Sequence, residues 1–587
     1  MSKNDTCKTP DKDDFEVIRR RPASSFPLGS RENPYDYVVT GAGTAGIPLA
    51  RFLSEDMKTS VLLLEAGEDH STDPEILNGF LFGTDSIAND PRYSFAYAAD
   101  PADINPGVDG VFLTAPARML GGGGGHNGMH FVWITEDGMA PNAAVHPQWS
   151  LTALIPVAQF LETYTPNGTV PNYAVRGSSG PLFSTQDPPL APNHFYTDMA
   201  AATNAPFIPD YNDTSISDVA APQPIQWFKT PAPIQQRSWG QTAFFPPSVL
   251  TLTSTGGTGV GGRKLTLVTR STAVEIIFDT TGTIPKAIGI RYATKDSPEA
   301  IIEVFASKKV ILCTGAFGNP ALLQRSGCGD PAVLTPLGIP VVLNNPNIGA
   351  HLENHKGPTA LIQQDPANPV PFQAANAYID LSGNVVGGYN LGAPDGVRRF
   401  QVYTLPVNGF IPHAILTAMG IDQIPAISVL GFGMNPEDEG NVQIVSRDPL
   451  TPPSIKFNFY KTPPDLAETV RMYKVVANIA QQYGQPVLYP PNFHYPAPYG
   501  TAPDDSLLEQ DAKDVTLIAA YHETGTCRMA TSPADGVVDG NLDVYGIDHL
   551  ACCDNSVLRR VTQGNTAHPA YLLGLVKAKI EGALVPY

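Results

Sequence analysis

Apolar positions fall in short runs separated by glycine and proline, a pattern that predicts strands and brief helices rather than long helical bundles. The clearest stretch is residues 35–67. There Tyr37-Val38-Val39 enters Gly41-Ala42-Gly43-Thr44-Ala45-Gly46, the run Ile47-Pro48-Leu49-Ala50-Arg51-Phe52-Leu53 carries helical spacing, and Val61-Leu62-Leu63-Leu64 ends at Glu65. This is strand, glycine turn, helix, strand, with an acid at the tip. Further along, β-branched content and partial alternation predict strands at 265–268, 272–278 and 287–292. Lys309-Val310-Ile311-Leu312 reads as a strand that leads through a glycine turn at Gly315 into a helix started by Pro320. Apolar strand candidates at 401–405 and 426–430 suggest an antiparallel sheet, and Leu466 to Tyr483 follows as an amphipathic helix.

The first unit has a specific chemistry. Gly41 permits the tight turn, Gly43 lets backbone approach a pyrophosphate, and Gly46 lets the helix pack closely on the strand. The helix N-terminus offers N–H groups and a partial positive charge to phosphates. Glu65 arrives where a carboxylate accepts hydrogen bonds from a ribose 2′-hydroxyl. The competing reading is a purely structural glycine turn, because the chain has glycines to spare at 121–125. Strand, helix and terminal acid together favour the dinucleotide site.

Composition narrows the picture. At 587 residues with 42% hydrophobic content, the chain is folded and holds more than one core. A formal charge of −19, from 37 basic against 56 acidic residues, argues against nucleic acid as a partner. The 57 prolines and 53 glycines imply many loops. Six scattered cysteines (Cys7, Cys313, Cys328, Cys527, Cys552, Cys553) show no zinc spacing and read as mostly buried thiols, so no metal site is expected. The first 30 residues lack an apolar core of the signal-peptide kind, and no 18-residue apolar run exists. The expectation is a protein off the membrane and in the reducing cytoplasm, with residues 1–32 as a flexible arm. The sequons at Asn167 and Asn212 then carry little meaning.

Arg118-Met119-Leu120 precedes five glycines, His126 and Asn127. Consecutive glycines are conformationally expensive, and folding tolerates them most readily where backbone lies against a ligand. This stretch resembles the Arg-x-Leu-Gly-Gly segment of the glucose-methanol-choline (GMC) oxidoreductases, with His126 in place of the usual aliphatic residue. The resemblance extends through 309–329, where Asn319 replaces a common Ser or Thr, and through Asn347 to His355. It continues at Tyr521-His522-Glu523-Thr524-Gly525-Thr526-Cys527-Arg528-Met529 and at Cys553-Asp554-Asn555, and closes at Gly564-Asn565-Thr566.

The resemblance implies FAD as cofactor, with Gly41, Gly43, Thr44, Ala45, Gly46, Glu65, Arg118, Gly121, Gly122, His126, Asn127, Val274 and Asp554 around it. In choline-oxidase-like members a histidine at the place of His126 is bonded to the flavin 8α-methyl carbon. The alternative for His126 is a free imidazole beside the ring. The resemblance makes His522 the base and Asn565 its partner, with a hydride passing from the alcohol carbon to flavin N5. His351 and His355 read as structural, Ala551 departs from the family pattern, and His568 competes for the substrate-facing position.

The fold class expected is α/β plus α+β: a Rossmann-type FAD-binding domain (33–150, 231–355, 516–587) with an antiparallel-sheet substrate or cap domain (151–230, 356–515). The function expected is oxidation of a small-molecule alcohol, with oxygen or another acceptor reoxidising the flavin; homo-oligomers are left open. The alternative is a structural or assembly protein, for example of a virus particle, that retains the flavin-binding fold.

Overall fold

A computed structural model describes residues 26–78, 87, 90–95, 97–100, 113–166, 172, 174–203, 208, 210–215, 220–371, 375–379, 385–386, 389–390, 400–406, 413–489, 505–515 and 518–587. Most of the expected N-terminal arm, Cys7 and the sequon at Asn167 lie outside them.

The opening apolar runs form strands β1 (Tyr35–Thr40) and β2 (Val61–Leu64), joined by helix α1 (Gly46–Leu53). β2 is buried throughout and β1 almost so, as parallel strands covered on both faces must be. Beyond β2 lies β3 (Leu265–Val268), also parallel. β4 (Ser271–Asp279) and β5 (Lys286–Thr294) form an antiparallel hairpin leading into β6 (Ser297–Leu312). The first part of β6 completes that antiparallel ladder. Its last part runs parallel to β1, from Lys309 opposite Tyr37 to Leu312 opposite Thr40. The strand Leu550–Cys552 adds to the other side of β6, completing a nine-stranded sheet among the described residues.

Because β1 has β2 on one side and β6 on the other, the order of strands switches direction at β1. A crevice opens there, at the carboxyl ends of the strands. Gly41 leaves β1 at that point with φ of 93°. A Cβ on it would sit 2.2 Å from the Cys313 carbonyl oxygen at the end of β6. Helix α2 (Gly315–Arg325) then starts from the same end of β6.

A second sheet, six-stranded and antiparallel among the described residues, includes β7 (Phe400–Leu405) and β8 (Ala426–Gly433) at its centre. Helix α3 (Pro463–Tyr483) covers one face. Two prolines begin α3, and Gly484, left-handed at φ 73°, ends it. Met472, Val475, Val476 and Ile479 of α3 share a core with Phe400, Val402, Ile427 and Val429. Alternation along β7 therefore turns Gln401 and Tyr403 the other way, toward the first sheet. The fold is thus the expected Rossmann-type nucleotide domain with an antiparallel-sheet domain.

The helix Leu151–Leu161 does not follow the boundary read at residue 150. Leu154, Val157, Ala158 and Leu161 belong to the core of the first sheet, and the helix packs on α4 (Ala567–Ile580). We propose that the division falls after this helix. No helix among the described residues is long and apolar enough to cross a membrane.

Gly41→Ala should therefore force the tips of β1 and β6 apart and strain the backbone. The expected loss is about 2–4 kcal/mol in urea or thermal unfolding, against a few tenths for an Ala substitution at the exposed Gly282.

Candidate functional site

A cavity of about 760 Å³ lies between the two sheets. That is within the roughly 300–1,000 Å³ typical of small-molecule and cofactor sites. Its floor is the crevice: Gly41, Gly43, Thr44, Ala45 and Glu65 line it, with Arg118, Gly122, His126, Asn127 and Asp554. His522 and Asn565 line it as well. Three residues of the expected set stand back from the wall. Gly46 and Gly121 are covered by other backbone and by Trp239, and Val274 is the extra residue of a bulge between Ala273 and Glu275. That bulge leaves Ser271, Thr272 and Ala273 as the strand's share of the wall.

The floor is built to receive an anion. Ala45, the N-cap of α1, offers no side-chain oxygen, so no side chain caps the first turn. Gly122 has φ of 56°, and a Cβ there would stand 2.6 Å from Gly43 Cα, so the two glycine segments meet main chain to main chain. The Thr44 hydroxyl ties them, accepting the Gly124 N–H at 3.2 Å. Glu65 accepts N–H groups of Ala42 and Gly67, each at 2.8 Å, yet burial pushes its carboxyl up to about 7. Arg118 donates to the Pro91 carbonyl at 2.7 Å, with its guanidinium over Phe95.

Asp554 is locked from both sides. Its Oδ2 accepts from Gly315 N–H at 2.7 Å and from Asn319 Nδ2 at 2.9 Å, and its Oδ1 accepts from Ser556 N–H at 2.9 Å. Asn319 Oδ1 in turn accepts from the Thr314 N–H at 2.8 Å and hydroxyl at 2.7 Å. The Asn319 amide thus bridges the start of α2 to Asp554. Arg237, overlooked in the sequence, holds the glycine run by donating to the Asn127 carbonyl at 2.9 Å and side chain at 2.8 Å.

His126 is buried in the cavity wall, beside the Ala115 backbone. Burial and the nearby Arg237 charge bring its pKa down to about 4. A neutral imidazole in the wall of a large cavity fits a flavin beside it. The main-chain trough at Gly43 and Gly122 fits the nucleotide part.

At the other end of the cavity, His522 Nδ1 lies 2.8 Å from His355 Nδ1, and His522 Nε2 lies 3.2 Å from Asn565 Nδ2. Asn565 Oδ1 already accepts from Tyr403 and Gln401, so its N–H faces His522. His522 Nε2 is then the acceptor, and its proton resides on Nδ1, shared with His355. Burial lowers the pKa of His522 to about 3. Asn354 Oδ1 accepts the His522 backbone N–H at 2.9 Å. His355 is thus no bystander, although it read as structural. His568 is: it is fully buried, stacks on Trp133 and accepts the Ile134 N–H at 3.3 Å, away from the cavity wall. Ala551 packs without exposure in its strand opposite Ile311. The five described cysteines are free and buried.

A Rossmann crevice opening beneath an antiparallel sheet, with a neutral imidazole at the far wall, is the layout of a flavin-dependent oxidoreductase. The chain belongs to the GMC oxidoreductases, whose N-terminal part it matches over residues 259–357 and whose C-terminal part over 436–574. It is accordingly an FAD-dependent alcohol oxidoreductase. It is 29% identical to an oxygen-dependent choline dehydrogenase of Pseudomonas savastanoi pv. phaseolicola, over 94% of each chain. In fold it resembles pyridoxine 4-oxidase from Mesorbium loti (22% identity, TM-score 0.73, covering 93% of this chain and 98% of that one). It resembles a formate oxidase similarly (19%, TM-score 0.74, 93% and 97%).

Replacing Asn319 with Ala should remove one of the three donors to the buried Asp554 carboxylate and the side-chain acceptor of Thr314, loosening the start of α2. The expected results are a loss of about 2–4 kcal/mol in unfolding and weaker retention of FAD on dilution, read by flavin fluorescence.

Proposed function

We propose that the protein oxidises the CH–OH group of an alcohol, with His522 as base, Asn565 as partner to the alcohol oxygen, and oxygen or another acceptor taking the electrons afterwards. The observation that carries this reading is the unprotonated Nε2 of His522, hydrogen-bonded to the Asn565 N–H in the cavity wall. The nucleotide half of the cofactor would rest on Gly41, Gly43, Thr44, Ala45 and Asp554, with Glu65 toward a ribose, and the ring system would lie near His126 and Asn127. Gly46, Gly121 and Val274 would support that cradle from behind. FAD, when bound, supplies the acceptor for the hydride of the alcohol carbon.

The chain's own residues manage the proton. An alcohol hydroxyl donates to His522 Nε2 while its oxygen accepts from Asn565 Nδ2, the contact the two side chains now make with each other. As the proton moves to Nε2, the ring becomes cationic, and the His355 Nδ1 lone pair stabilises the Nδ1–H that faces it. The amide stabilises the developing alkoxide without competing for the proton. Burial excludes water from both steps.

The covalent bond between His126 and the flavin 8α-methyl carbon belongs to this reading. A neutral imidazole in the cavity wall supports it. Acid precipitation tests it: yellow colour stays in the pellet if the bond exists, and His126→Ala releases it to the supernatant.

Anaerobic bleaching of the flavin by a panel of alcohols that includes choline, pyridoxine and benzyl alcohol tests the chemistry. His522→Ala is expected to slow bleaching by about 10²–10⁴-fold. Because a depressed pKa keeps the base neutral until pH falls through it, the rate should hold well below the ordinary histidine value of 6.5. Bleaching that no alcohol produces, or that His522→Ala leaves intact, overturns the reading.

A further inference from the structure

An amide can present either end to a histidine, and the end chosen decides whether the ring meets an N–H or a carbonyl. Asn565 is held at its oxygen. The Tyr403 hydroxyl donates to Oδ1 at 2.9 Å and Gln401 Nε2 donates at 3.1 Å, both from the same face of β7. Tyr403 is held in turn by His130, whose Nδ1 is hydrogen-bonded to the hydroxyl and whose ring stands edge-on to it at 4.8 Å. His130 Nε2 meets the Tyr211 hydroxyl at 3.0 Å, and that hydroxyl accepts the Gln226 N–H at 2.7 Å. His130 Nδ1 thus meets both the Tyr403 hydroxyl and, at 3.3 Å, Gln401 Nε2, so the two donors that hold the Asn565 oxygen share one support.

We propose that Tyr403, backed by His130, is a positioning residue that locks the Asn565 amide with its N–H toward His522. The proposal rests on the reading of His522 and Asn565 as the reacting pair. Its consequence is electrostatic. An N–H beside His522 Nε2 favours the neutral ring and leaves its lone pair for a hydroxyl proton. A carbonyl in that place would favour the charged ring and occupy the proton Nε2 then carries. Sequence spacing gives Tyr403 no role of this kind, because it sits 162 residues from Asn565 in a strand that reads as ordinary core.

The test is a double-mutant cycle in the flavin-loaded protein, read as the first-order rate of anaerobic bleaching with the fastest alcohol of the panel, across pH. Such a rate does not depend on how much flavin each preparation holds. Tyr403→Phe keeps the ring and removes the donor. It should slow bleaching about fivefold and move the acid limb of the pH profile upward by about half to one unit, because a freed amide can turn its carbonyl to His522. In an Asn565→Ala background the same change should alter the rate by less than about twofold and leave the limb in place. His130→Gln, measured alongside, should shift the limb in the same direction, and it carries the comparison if Tyr403→Phe does not fold. Equal slowing in both backgrounds, or slowing without a shifted limb, would mean that Tyr403 merely packs, and overturns the proposal. If Asn565→Ala bleaches at the wild-type rate, the reacting-pair reading falls, and this proposal falls with it.

Discussion

Main chain meeting main chain, with no side chain between, is the constraint from which the rest follows. The Gly41 Cα packs on the Cys313 carbonyl, and the Gly122 Cα packs on Gly43. These contacts let three segments far apart in sequence converge on one trough: the end of β1, the end of β6 and the glycine run before His126. A trough made this way has walls of peptide dipoles rather than side chains. It therefore selects for a group that is thin, anionic and rich in acceptors, which a pyrophosphate is.

The two ends of the cavity are built on opposite principles. The floor uses backbone donors and the end of α1. The far wall uses side chains brought from distant parts of the chain and kept neutral by burial. His522 there, like His126 beside the floor, sits far below the ordinary histidine value because of that burial. Neutrality is useful because a neutral nitrogen has a lone pair to give.

How much of this could be read from the chain depends on sequence separation. The βαβ unit was legible because its signals are local: apolar runs, glycine spacing and Glu65 all fall within residues 35–67. The strands at 265–268, 272–278 and 287–292 and helix α3 were legible for the same reason, to within a few residues at their ends. Only the last four residues of β6 were read, and the strands at 250–253, 256–259 and 550–552 were not. Motif resemblance placed His522, Asn565 and His126 at one cavity. It did not place their supports. His355 reaches His522 across 167 residues, and Gln401 and Tyr403 come from another sheet. No periodicity in a strand reveals which of its polar residues will meet an amide in a distant loop. Asn319 stood between these cases, since its departure from a hydroxyl residue was visible and its bond to Asp554 was not. Val274 is the extra residue of a bulge and stands behind the cavity wall, and a bulge leaves no mark in the pattern of β4.

The way β6 is paired has a consequence for how the molecule is made. Its neighbour on one side, β1, ends at residue 40, while its neighbour on the other is the strand at 550–552. Helix α4 likewise crosses the start of α1, with Gly574 against the Ala45 carbonyl. A ribosome adding about 5–20 residues per second delivers the first of these partners roughly half a minute or more before the last. Until then the Rossmann unit has an open strand edge and an uncovered helix, both sticky. The nascent chain thus has reason to engage a holding chaperone, and translation must run nearly to its end before the nucleotide trough is sealed.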